Sequence, residues 1–228
     1  MSRTVNVVRM QLVNKQTFGW VPLAILVGAL AVTLAIWAMV PDGGALYSGG
    51  AQAPFWYFAV IGVQALTLTF PFSQAMSVTR REFYLGTLLT AALAAAVLTV
   101  VFLVGGFVEQ ATDGWGMNGY FFTFPWIWDA GAPVAAAFYF VLSMLSFVAG
   151  FTGATLYKRF GAFWLVVVSV GLVLVLIAAA WLVTRAGAWS DVMGWLLTSG
   201  VGGLTAVLAG ITVVVALVAF PLLRRAVP

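Results

Sequence analysis

Six long apolar runs alternate with short polar stretches along the chain. They cover roughly 20–40, 54–73, 84–108, 132–156, 162–184 and 196–221. Each holds about 20 residues or more, enough to cross about 30 Å of hydrocarbon as a helix. No Asp, Glu, Lys or Arg stands in the middle of any run. The pattern predicts an all-α integral membrane fold of six spanning helices, forming a single domain over 1–228. Pro22, Pro54 and Pro133 fall where helices begin, positions at which a missing N–H costs nothing. Pro41 and Pro221 mark ends. Pro71 lies in the last turns of the second run and predicts a kink there.

Two shorter stretches are amphipathic. Residues 3–18 predict a short N-terminal cytoplasmic or interfacial helix, on which Val5, Val8 and Leu12 share a face imperfectly. In "AWSDVMGWLL", residues 188–197, Trp189, Val192, Met193, Leu196 and Leu197 recur at i, i+3, i+4, i+7 and i+8. That spacing predicts a short external helix just before the sixth span. The first apolar run is too long for a cleavable signal, and no small-x-small site follows it.

Charge orients the chain. Arg3, Arg9 and Lys15 precede the first span, Arg80 and Arg81 lie between the second and third, Lys158 and Arg159 between the fourth and fifth, and Arg224 and Arg225 after the sixth. Nine of the ten basic residues therefore share one side, which Arg185 alone does not. Asp42, Glu109, Asp113, Asp129 and Asp191 fall on the side of Arg185. By the positive-inside rule both termini face the cytoplasm.

Composition narrows the chemistry. Hydrophobic residues make up 64% of the chain and charged residues 7%, against about 25% charged in soluble domains. So little charge could not cover a soluble fold. The net charge of +4 reads as a membrane-topology signal and not as a nucleic-acid footprint. With no cysteine and no histidine, thiolate chemistry, bis-histidine haem and most zinc sites are excluded. Neither Lys15 nor Lys158 sits in a Walker motif, so the chain has no ATP site of that kind. The acids are scattered over loops, and no ionisable residue is expected inside a span. That argues against an enzyme and against ion coupling through a buried carboxylate. No metal site is expected. Energy for directional work would come from another subunit.

The spans carry mild polarity. Gln64, Thr67, Ser143 and Ser146 are candidates for a substrate path, and equally for interhelical hydrogen bonds. Small residues recur at Gly202, Ala206 and Gly210, at Gly150 and Gly153, and at Ala24 and Gly28, spacings that let helix backbones approach within a chain or between chains. The longest loop, 109–131, holds Trp115, Tyr120, Phe121, Phe122, Phe124, Trp126 and Trp128. It reads either as an aromatic belt at headgroup level or as a lid over a substrate exit.

The remaining signal is "SVTRREFYLGTLL", which starts at Ser77. Thr79 and Glu82 fit a capping box, so a helix should begin at Arg80 and run into the third span. Centring an arginine in a bilayer costs about 2.5–3.5 kcal/mol, so Arg80 and Arg81 belong in water. They are either plain topology determinants or part of a docking handle, with Phe83 and Tyr84 as exposed-edge aromatics.

This stretch resembles the segment between the second and third spans in the membrane-spanning permease subunits of bacterial type-2 ABC exporters. Serine, arginine, aromatic, glycine and leucine follow one another at every third position from Ser77 to Leu89. The six-span layout and the short helix before the last span are similar too. The resemblance implies that Ser77, Thr79, Arg80, Arg81, Glu82, Phe83, Tyr84 and Gly86 form a coupling segment that docks on an ATPase. Arg80 and Arg81 would meet acids there, and Phe83 or Tyr84 would fill an apolar cleft. It further implies two copies of a separate ATPase subunit carrying ATP and magnesium, and a second permease chain, identical or not. The setting would be the bacterial cytoplasmic membrane, with lipid around the spans and no nucleic acid or cofactor on this chain. The nearly uncharged spans and aromatic exterior suit export of a hydrophobic or amphipathic cargo. The alternative is a non-catalytic membrane anchor or regulatory subunit. A channel, secondary transporter or membrane enzyme stands third.

Overall fold

A backbone surrounded by apolar side chains has no hydrogen-bond partner but itself, and helix is the local solution. The computed structural model describes residues 3–13, 16–40 and 44–224. Lys15, Pro41, Asp42 and Arg225 lie outside the described residues. In chain order the elements are α1 (Arg3–Leu12), α2 (Val21–Trp37), β1 (Leu46–Tyr47), α3 (Ala53–Gln64), α4 (Phe70–Ala75), α5 (Arg80–Ala111), β2 (Gly119–Tyr120), α6 (Pro125–Trp128), α7 (Ala132–Arg185) and α8 (Trp189–Arg224). Five continuous helical stretches are long and apolar enough to cross a membrane: Gln16–Trp37, Gly49–Ala75, Arg80–Ala111, Ala132–Arg185 and Trp189–Arg224.

The breaks within these stretches have local causes. Pro22, Pro54 and Pro133 sit in the first turn of α2, α3 and α7, as their position in the sequence predicts. Before Pro71 the ladder widens into a π-type turn, Ala65–Thr69, in which the Phe70 N–H reaches the Ala65 carbonyl. The wider turn accommodates a ring that would otherwise strike the carbonyl four residues back. Pro221 does not end its helix: α8 runs on to Arg224. α7 has 54 residues, and at Gly161 its backbone leaves helical geometry at φ 83° and ψ 177°, a conformation open to glycine alone. Lys158 and Arg159 thus end a helix and do not occupy a loop. The helix expected at 188–197 begins at Trp189 and breaks from the rest of α8 at Gly200.

α7 is the hub. α3, α5 and α8 pack on it, α1 lies against the start of α5, and α2 flanks α3. α3 and α7 touch through their backbones. A Cβ on Gly150 would lie 2.0 Å from the Ala59 carbonyl oxygen, and one on Gly62 would lie 2.2 Å from that of Phe147. Gly153 meets nothing within 4 Å, so of the two glycines expected on this face only Gly150 makes the contact. Gly28, Gly202 and Gly210 also meet nothing within 4 Å among the described residues. Beyond Gly161, residues 162–185 expose Phe163, Trp164, Leu172, Val175, Ile177 and Leu182 on every side.

Gly150→Val should force α3 and α7 apart at a cost of at least about 1–3 kcal/mol. We expect a lower thermal midpoint in detergent for this variant and an unchanged one for Gly153→Ala. Equal midpoints for the two would refute the backbone contact as the fixed point of the bundle.

Candidate functional site

The arginine end of α5 follows its sequence closely at the cap. Thr79 Oγ1 accepts from the Glu82 N–H at 3.3 Å, and Glu82 Oε2 accepts from the Thr79 N–H at 3.0 Å, so the capping box is complete. Ser77 takes a left-handed conformation, φ 56°, in the turn before it. A helix starting at Arg80 then decides which side chains face inward. Positions 83, 84, 87, 91, 94, 98 and 102 form the buried stripe, while Arg81, Leu85, Leu89 and Leu93 recur every fourth residue on the exposed one.

That phase corrects the expectation for the aromatics. Phe83 has no exposed surface and its ring lies 5.1 Å from that of Phe70. Tyr84 is buried between Phe151 and Phe220, and its hydroxyl donates to the Ala216 carbonyl at 2.5 Å. Neither is an exposed-edge group, and neither is free to fill a cleft on a partner. Gly86 is buried against Val7 of α1, where a Cβ would lie 2.6 Å from the valine Cβ.

Arg80 is likewise engaged within the chain. Its guanidinium donates to the carbonyls of Leu223 at 3.0 Å and Arg224 at 2.7 Å. These are orphan carbonyls at the end of α8, where a cation also meets the negative end of the helix dipole. Arg80 therefore fastens the start of α5 to the end of α8. Arg81 is exposed at the head of its stripe. Arg159 and Arg224 line a shared groove with Leu217, Val218, Pro221 and Leu222. Arg80, Arg81, Arg159 and Arg224 thus gather at one end of the bundle.

The four candidate path residues do not converge. Ser143 is fully buried and donates to the Tyr139 carbonyl of its own helix at 2.8 Å. Thr67 does the same to Val63 at 3.0 Å. Gln64 lines a cavity of about 140 Å³ with Gln11, Thr17, Phe18 and Thr69, next to the π-type turn. Ser146 lines a different cavity, at the opposite end of the bundle from the arginines. Gln11 of α1 donates to Thr87 Oγ1 at 2.7 Å and so holds α1 on α5.

At that opposite end the structure has a feature with almost no sequence signal. Glu109 belongs to the last turn of α5, not to the loop, and is 1% exposed. A carboxylate there faces the negative end of its own helix dipole. The loop compensates by wrapping back. Five donors converge on the carboxylate: the backbone N–H groups of Phe121, Phe122 and Thr123, the Thr123 hydroxyl, and Trp115 Nε1. The chain has no Lys or Arg between 110 and 131 to pair with it, which is the one hint in the sequence. Around this clasp, Tyr139 Oη and Trp128 Nε1 both donate to the Phe122 carbonyl, at 2.7 and 3.0 Å. β1 and β2 pair in parallel, with Leu46 opposite Gly119 and Tyr47 stacked on Tyr120 at 5.1 Å.

The aromatic loop is therefore folded inward. Phe121 and Phe122 are buried, and Trp126 is the one of the seven rings that is exposed. Beneath them lies a cavity of about 260 Å³, lined by Ala51, Gln52, Phe55, Trp56, Phe102, Phe121, Phe122, Phe124, Trp126, Ile127, Phe138, Tyr139, Leu142 and Ser146. The lining contains no ionisable group apart from the Tyr139 phenol, whose proton is already donated.

No protein-family model, curated protein or solved structure matches the chain.

Glu109→Ala should leave three buried N–H groups without an acceptor and cost at least about 3 kcal/mol. We expect rapid proteolysis within 112–131 while the long helices survive. An intact loop in that variant would show that the aromatic packing alone holds it.

Proposed function

We propose that the chain is the transmembrane permease subunit of a type-2 ABC exporter of the bacterial cytoplasmic membrane, driven by a separate ATPase subunit. The observation that carries this reading is the Arg80 clamp. Two long helices, α5 and α8, are tied together by Arg80 at the end where the arginines gather, beside an exposed Arg81. A partner pressing on this segment would move both helices at once.

The break at Gly161 supports the six-span count. Residues 132–160 and 162–185 each exceed about 20 residues, so α7 supplies two spans. The positive-inside rule then sets the arginine end in the cytoplasm and the Glu109 loop outside. Two permease chains would pair through faces such as Gly202, Ala206 and Gly210, which are exposed here. Two ATPase subunits, with ATP and magnesium, would sit beneath. Arg81 is the group available to meet acids on the ATPase, while Arg80, Phe83 and Tyr84 stiffen the segment from within. The cargo would be hydrophobic or amphipathic.

A non-catalytic anchor or regulatory subunit is the second reading. The failure of Gln64, Thr67, Ser143 and Ser146 to share one path favours it. Such a subunit would co-purify with a complex yet would not respond to nucleotide.

Arg81→Glu should lower recovery of a co-purifying ATPase subunit by about tenfold, the effect of roughly 1.4 kcal/mol. Insertion should be unchanged, and Arg185→Glu at the other end should have no effect. Full recovery with Arg81→Glu, or no ATP-binding subunit with wild type, would sink the permease reading. Arg80→Ala should act differently, exposing the end of α8 to protease in the isolated subunit.

A further inference from the structure

We propose that the cavity under the aromatic loop holds one hydrocarbon tail of a bilayer amphiphile, with the headgroup left outside at the loop end. Four observations converge on that occupant.

The first is shape. Phe138, Tyr139, Leu142 and Ser146 form one wall along α7. From Phe138 to Ser146 a helix rises about 12 Å. A cavity of about 260 Å³ beside a wall of that length has room for an extended hydrocarbon chain.

The second is chemistry. The walls are ring faces and aliphatic groups, and no lining residue carries a charge. An ionised or phosphorylated headgroup would find no counter-charge inside. Gln52 is exposed and lies at the start of α3, on the loop side, where its amide can meet a polar head.

The third is access. Trp56 is 73% exposed and Trp126 is 53% exposed, and both line the cavity. Indole rings favour the headgroup level of a bilayer. A tail can therefore enter between them from the surrounding leaflet without crossing water.

The fourth is pre-organisation. The Glu109 clasp and the Tyr139 and Trp128 hydrogen bonds hold Phe121 and Phe122 in place as a rigid roof. A tail that leaves lipid for this slot gains little from the hydrophobic effect, because both places are dry. It gains from dispersion contacts with fixed walls, which a fluid leaflet supplies less densely.

Occupancy by a tail stands on the cavity alone; that the tail belongs to the exported cargo rests on the permease reading. The full chain in phospholipid nanodiscs, without any ATPase, would be photolabelled with palmitate carrying a diazirine on its chain, and labelled residues mapped by mass spectrometry. We expect saturable labelling of Phe102, Phe138 and Leu142, reduced at least about fivefold by excess unlabelled palmitate. Leu142→Trp, which fills the slot, should abolish it, and Ser146→Phe gives an independent block if the first variant does not fold. Labelling no denser there than along 162–185, or labelling that unlabelled palmitate does not compete, would overturn the proposal. Because no partner is present, that failure is distinct from failure of the permease reading, which the Arg81→Glu recovery experiment reads.

Discussion

Where water is absent, each polar atom must be satisfied by the chain itself, and this constraint runs through the molecule. Most buried hydroxyls in the apolar helices obey it locally, and the Thr99 hydroxyl is an exception with no partner among the described residues. Thr90, Ser143, Thr152, Thr155, Thr205 and Thr212 each donate to the carbonyl four residues earlier. Their polarity is satisfied on their own helix, which is why mild polarity along a span does not by itself mark a path. Two charged groups obey the same constraint at larger scale. Arg80 finds carbonyls at the end of α8, and Glu109 finds N–H groups in the loop that follows its own helix.

These two solutions make the ends of the bundle unlike. At the arginine end, one side chain joins two long helices, and the neighbouring Arg81 stays outside. The cation then serves as a strut and the cap as its mount. At the other end a buried carboxylate gathers a loop rich in rings and turns it into a roof. The carboxylate is costly to bury, and only convergent donors make it tolerable. Between the ends, Gly62 and Gly150 bring α3 and α7 into backbone contact, so the middle of the bundle is held by close approach and dispersion. Helix residues 162–185 expose most of their side chains, which suit lipid or a second copy.

Most features with a local cause are legible from the sequence, the proline at 221 excepted, since α8 runs on past it. The apolar runs, the prolines of the first turns, the break near the second proline-containing run and the Thr79–Glu82 box follow from neighbours within one or two turns. The helix at 188–197 was legible from its spacing for the same reason. Phe83 and Tyr84 read as edge residues from the polar residues before them, and the structure buries both. Their burial depends on the helix phase from Arg80 and on what α4, α7 and α8 present to that phase. From sequence Glu109 reads as a loop residue, because an acid after an apolar run ordinarily marks the water boundary.

By itself, then, the sequence determined that the chain is helical, that its helices are long and apolar enough to cross a membrane, and where most of them begin. Those features depend on hydrogen bonds and side-chain spacing within a few residues. Only the tertiary structure decided that Arg80 is a clamp, that Glu109 is the keystone of a folded loop, and that an aromatic-lined cavity lies beneath it. Each joins groups far apart in the chain or depends on how separate helices present their faces. No local rule can specify which distant carbonyl, N–H group or ring will arrive to satisfy a given side chain.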